Sequence, residues 1–202
     1  MTTDLLLLFI PTIAAVSLTP GMCMTLAFTL GLTIGYRRTL WMMLGELVGV
    51  ALVVTLTVLL LNWLLSLDKL YFNGLTLVGA AYLIWIAWQL WHAQEHFGTK
   101  ARGNQLAPVA LMLLGFSTAV MNPKGWAFMI ALLPGFMDAE ATKGQQLVTF
   151  LAVMLTTEFL SMSLYAGGGK WLGRVLKNDA NLVLLNRVAA VLMVAVAGLV
   201  VF

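Results

Sequence analysis

Residues 5–35 read LLLLFIPTIAAVSLTPGMCMTLAFTLGLTIG, and no charge falls between Asp4 and Arg37. A hydrocarbon core of about 30 Å is crossed by roughly 20 helical residues rising about 1.5 Å each. One straight helix over this stretch would run to about 48 Å, so it must tilt, bend or break. Thr19-Pro20-Gly21, near its middle, supplies the break, because proline removes one backbone donor and clashes with the preceding turn. Pro20 alone reads equally well as a packed kink.

The rest of the chain has the same character. It is 61% hydrophobic and 9% charged, with mean hydropathy +0.97, where a soluble domain carries about 25% charged residues. Water is not its solvent. Further apolar blocks cover about 40–62, 70–91, 107–136, 146–168 and 182–202, which predicts six membrane-spanning helices. Gly35-Tyr36-Arg37-Arg38, Ser66 to Lys69, His92 to Gln105, Met137 to Gln145 and Lys170 to Asn181 separate them. Met1-Thr2-Thr3-Asp4 has no basic residue ahead of the first run, and that run is too long for a signal peptide, so it is expected to stay as an anchor.

Orientation follows the basic residues. Arg37, Arg38, Lys100, Arg102, Lys170, Arg174, Lys177 and Arg187 lie in or beside the first, third and fifth loops, against Lys69 and Lys143 in the second and fourth. The odd loops are expected in the cytoplasm and both termini outside. The net charge of +3 reflects this loop bias, not a nucleic-acid partner. Most of the tryptophans fall near predicted helix ends, at headgroup level; for Trp85, Trp88 and Trp91 the belt reading is preferred to a stacking platform. Cys23 is the only cysteine, which excludes an internal disulfide and any Cys-x-x-Cys redox or metal pair.

Three side chains are expensive in lipid. Lys124 stands in Asn122-Pro123-Lys124-Gly125, a second interruption inside the fourth block. A charge at the centre of a lipid-exposed helix costs about 2.5–3.5 kcal/mol, so it is expected to face a partner or a wet cavity; the bland alternative has it snorkelling to the headgroups. Glu158 lies midway between Gln145 and Lys170 and needs a cation, a proton or water. Glu46 stands eight residues beyond Arg38, about 12 Å along a helix, and reads either as functional or as the partner of a loop base.

The halves share one plan: a proline-broken helix, a helix with one Glu, then a helix without acids. Three spans per half make a contiguous second copy enter the membrane in the opposite sense, the inverted-repeat arrangement of secondary transporters. The fold expected is an all-α membrane protein, one transmembrane domain over 1–202, with repeats over 1–97 and 106–202 and broken first and fourth helices. Backbone N–H groups freed at the breaks, with Lys124, suit a carboxylate, and Glu46 or Glu158 suits an ammonium or a proton. No catalytic triad, phosphate loop or metal-spaced histidine pair appears in the sequence, so neither enzyme nor cofactor is implied.

Ser17-Leu18-Thr19-Pro20-Gly21, Gly79-Ala80-Ala81-Tyr82-Leu83-Ile84-Trp85, Asn122-Pro123-Lys124 with Leu132-Leu133-Pro134-Gly135-Phe136 downstream, and Tyr165-Ala166 seven residues after Glu158 resemble the LysE/RhtB family of amino-acid exporters, especially its RhtB branch of homoserine/threonine/leucine-type efflux proteins. The resemblance spans nearly the whole chain. It implies a six-helix exporter of the bacterial inner membrane, driven by proton or ion gradients. There are two departures. Many relatives read Pro-Gly-Pro where Met22 stands third here, and the second-helix acid of some relatives aligns nearer Val50 than Glu46, one turn away.

Three functions are weighed. The first is an amino-acid exporter, with a neutral aliphatic or hydroxylated cargo bound at Pro20, Gly21, Met22, Asn122, Pro123, Lys124 and Glu158, and with Glu158 and Glu46 coupling it to protons. The second is a divalent-cation transporter using both glutamates, for which two acids beside a lysine make a poor cage. The third is a scaffold held by small-residue faces such as Gly31-x-x-x-Gly35 and Gly45-x-x-x-Gly49, faces that a homodimeric transporter would also use.

Overall fold

A computed structural model of the chain describes residues 3–19, 21–65, 69–92, 106–137 and 142–168, and in the last segment 183–184, 187–188, 190–191, 194–195 and 197–198. All the regular structure among the described residues is helical: α1 (Thr3–Ser17), α2 (Met22–Ile34), α3 (Tyr36–Leu65), α4 (Lys69–His92), α5 (Pro108–Val120), α6 (Pro123–Phe136) and α7 (Lys143–Gly167). Among them α3 and α7 are each long and apolar enough to cross a membrane, and α1 with α2 makes a third such span if the pair is taken together.

Both expected breaks are present. α1 and α2 meet at 56°; Pro20 itself lies outside the described residues. Before this break the helix tightens, with Thr19 N–H and Oγ1 both donating to the Val16 carbonyl at 3.0 and 2.7 Å. Gly21 is extended, and its carbonyl accepts from Thr25 N–H at 2.8 Å to start α2. The Leu18 carbonyl, left beyond the helix, accepts from the Tyr165 hydroxyl of α7 at 3.0 Å. Tyr165→Phe is expected to cost about 1 kcal/mol by orphaning that carbonyl, seen as a lower melting temperature of the solubilised protein.

The second break is drawn in the same way. α5 tightens through Met121 and Asn122, whose N–H groups donate to Ser117 and Ala119 at 2.9 and 3.3 Å. Pro123 then opens α6 at a position where its missing donor costs nothing. Trp126 Nε1 donates to the Val120 carbonyl at 2.8 Å, filling an acceptor that lipid would leave bare. This tryptophan therefore serves the break, whereas Trp85, Trp88 and Trp91 present exposed rings along α4.

Glycines set how closely the helices approach. A Cβ at Gly45 would lie 1.9 Å from the Met112 carbonyl oxygen, one at Gly115 would lie 2.0 Å from that of Met42, and one at Gly49 would lie 2.7 Å from the Ala119 Cβ. α3 and α5 thus touch backbone to backbone. Gly31 does the same for α2 against Ala166 of α7, at 2.2 Å. Of the glycines read from sequence as docking faces, Gly31, Gly45 and Gly49 are thus occupied within the chain, whereas Gly35 meets nothing within 4 Å.

The first loop is shorter than expected. α3 begins at Tyr36, so Arg37 and Arg38 belong to its first turn, and Gly35 alone makes the corner at φ 82°, a conformation open to glycine. Four contacts are made near the ends of the helices. Arg38 donates to the Leu106 carbonyl at 2.9 Å. Tyr36 donates to Ser163 Oγ at 3.1 Å, and its ring lies 3.7 Å from where a Gly167 Cβ would stand. Arg187 stacks over the Trp91 ring at 5.2 Å. Phe9 of α1 packs against Phe136 and Phe150, with ring centroids 4.9 and 5.1 Å apart.

Candidate functional site

The breaks converge. Asn122 Nδ2, at the second, points to Cys23 Sγ, just past the first, at 3.8 Å across 99 residues of sequence. Around this contact lies a cavity of about 90 Å³. Ser17, Thr19, Gly21, Cys23, Asn122, Glu46 and Glu158 line its polar side, and Ile13, Val16, Val50, Val53, Phe128 and Met129 are among its apolar walls.

Each helix delivers its polar group for a local reason. Cys23 is the second residue of α2, where the first turn's N–H groups have no partner within the helix. Glu46 comes from α3 between Gly45 and Gly49, whose missing side chains let α5 press close, and its side chain is 0% exposed. Both its carboxylate oxygens are buried without a hydrogen-bond partner among the described residues. Glu158 comes from α7 and is half-buried. One oxygen from each acid and the Cys23 sulfur lie within 4.8 Å of one another.

Half of the site read from sequence meets here. Gly21, Asn122, Glu158 and Glu46 all line the cavity. Among the described residues the Glu46 oxygens reach no base, which speaks against the reading of Glu46 as the partner of a loop base. Val50 lines the same cavity one turn on, so an acid at either position would serve one space. Met22 does not line it: its side chain is 52% exposed on the outside of α2. Pro123 is also exposed, and it opens α6 without lining the cavity. Lys124 lies in the first turn of α6; its side chain, like Pro20, is outside the described residues. The sequence reading missed Cys23, Ser17 and Thr19, although their places beside Pro20 and Gly21 were the available signal.

The family model of the LysE type translocators matches residues 14–202, which include every residue named at the cavity except Ile13. The chain belongs to the LysE type translocator family. Among relatives of this LysE type translocator, a homoserine/homoserine lactone efflux protein of Salmonella typhimurium is 28% identical over 79% of the chain and 76% of its own length. The chemotactic transduction protein ChpE of Pseudomonas aeruginosa is 31% identical over 71% of each chain. A cysteine/O-acetylserine efflux protein of Klebsiella pneumoniae is 28% identical over 66% of the chain and 76% of its own length. No solved structure matches the translocator significantly.

Proposed function

We propose that this translocator is a secondary-active exporter of small neutral amino acids, aliphatic or hydroxylated, across the bacterial inner membrane. The observation that carries the proposal is the meeting of both helix breaks and both glutamates, Glu46 buried and Glu158 half-buried, in one cavity. The names of the efflux relatives supply the cargo class. In this reading the chain is one domain of six spans, with α1–α2, α3 and α4 mirrored by α5–α6, α7 and the last segment. On the same reading the start of α3, with Arg37 and Arg38, faces the cytoplasm, leaving both termini outside.

The proposed chemistry follows from charge. The cargo carboxylate meets the free N–H groups that open α2 and α6, with Lys124 close by in sequence. Its ammonium meets Glu46 and Glu158. Two carboxylates this close repel, and either an ammonium or a proton between them removes the repulsion. The two cations compete for one place, which is what proton-coupled exchange requires. A cavity of about 90 Å³ is below the roughly 300–1,000 Å³ of ordinary ligand pockets, as expected of a state that must widen to admit cargo.

The test is radiolabelled counterflow in proteoliposomes over a panel containing homoserine, threonine, leucine, cysteine and O-acetylserine. Saturable exchange of at least one neutral amino acid is expected. No exchange by well-folded protein with any member would sink the reading.

A further inference from the structure

We propose that Cys23, Glu46 and Glu158 form a binding site for a thiophilic divalent cation, Zn²⁺ or Cd²⁺, and that the bound ion plugs the cavity. The three side chains come from three helices, α2, α3 and α7, and present a sulfur and two carboxylate oxygens within 4.8 Å of one another. A thiolate with two carboxylates is a donor set that zinc accepts in tetrahedral sites, and the thiolate turns selection away from magnesium and calcium. A cysteine beside acids would not by itself make a site. The second observation is Glu46, 0% exposed, which lines the cavity with neither oxygen hydrogen-bonded among the described residues.

The geometry needs little adjustment. Metal–sulfur and metal–oxygen bonds of about 2.3 and 2.0 Å put neighbouring tetrahedral donors roughly 3.5 Å apart, so the side chains draw inward by about 1 Å, within reach of glutamate rotamers. Three protein donors leave a fourth position open to water or to a carboxylate. Asn122 Nδ2, 3.8 Å from the sulfur, orients it from outside the donor set. The ion would occupy the space between the acids that the proposed exchange uses, so it blocks and is not carried. The binding half of this inference stands on the geometry alone; the blocking half rests on the export reading.

Cys23 is the sole thiol of the chain, which makes the test specific. Untagged full-length protein in detergent is titrated with Cd²⁺ while the ultraviolet sulfur-to-cadmium charge-transfer band is followed. A saturable band is expected at one ion per chain, reversed by EDTA and displaced by Zn²⁺. Cys23→Ser should abolish it, and Glu46→Gln and Glu158→Gln should each weaken binding about tenfold or more. No band in the wild type, or affinity unchanged by both Glu→Gln variants, overturns the site. In vesicles already showing counterflow, Cd²⁺ should stop exchange, and EDTA should restore it. Undiminished exchange at saturating Cd²⁺, or transport of labelled Cd²⁺ itself, overturns the plug while the binding result stands separately.

Discussion

Glu158→Gln is expected to abolish gradient-driven amino-acid efflux while the protein still folds. The amide keeps the shape of the side chain but has no charge to offer an ammonium and no proton to exchange. Removing one partner of a desolvated charge pair costs about 2–5 kcal/mol, or a fall in apparent affinity or flux of about 30-fold to several thousand-fold. Glu158 has Glu46 as its neighbour across the cavity, so Glu46→Gln should act in the same direction from α3. If the two acids work as a unit, the double variant should be no worse than the worse single one. Efflux measured against an imposed pH gradient, with Glu158→Asp as the conservative control, checks this. Full gradient-driven efflux by Glu158→Gln would remove its coupling role.

The second large effect is on folding. Gly115→Ala places a methyl group 2.0 Å from the Met42 carbonyl oxygen, and the obstacle is backbone that cannot swing aside. α3 and α5 must separate, taking apart the packing that holds Glu46 in the cavity. Overpacking a core costs typically 1–3 kcal/mol, and a backbone clash sits at or above the top of that range, about 3 kcal/mol. Gly45→Ala should behave alike, with its Cβ 1.9 Å from the Met112 carbonyl. Gly74→Ala on α4 meets nothing within 4 Å and should be neutral or slightly stabilising, because alanine is the better helix former. Thermal unfolding of the three solubilised variants separates these outcomes; equal melting temperatures would contradict the close α3–α5 contact.

What the sequence revealed depended on how costly each feature is in a membrane. The uncharged run over residues 5–35 exceeded the bilayer, so its break was foreseeable, and Asn122-Pro123 announced the second. Glu46 and Glu158 were conspicuous because lipid penalises acids. Cys23 was not, since a small thiol costs nothing in an apolar helix, and only the fold shows it facing Asn122. The orientation of Met22 was not legible for a related reason: position beside a break does not say which side of the helix a residue occupies, and Met22 faces out while Cys23 is buried. The glycine pairs were visible as close-packing motifs, but spacing alone could not tell a partner helix of the same chain from one of a second copy. The role of Trp126 was not legible either, since it required the Val120 carbonyl to be seen beside its indole N–H.

The account's central claim is that cargo occupies the cavity where the two breaks meet, and Cys23 is the natural reporter, as the only thiol in the chain and a lining residue of that cavity. The most direct measurement is the rate at which a small methanethiosulfonate modifies Cys23 in transport-competent vesicles, with and without a saturating amino acid that supports counterflow. Cargo in the cavity should slow modification, and an amino acid that is not exchanged should leave the rate alone. A rate unchanged by a saturating transported substrate would place the cargo elsewhere and contradict the account.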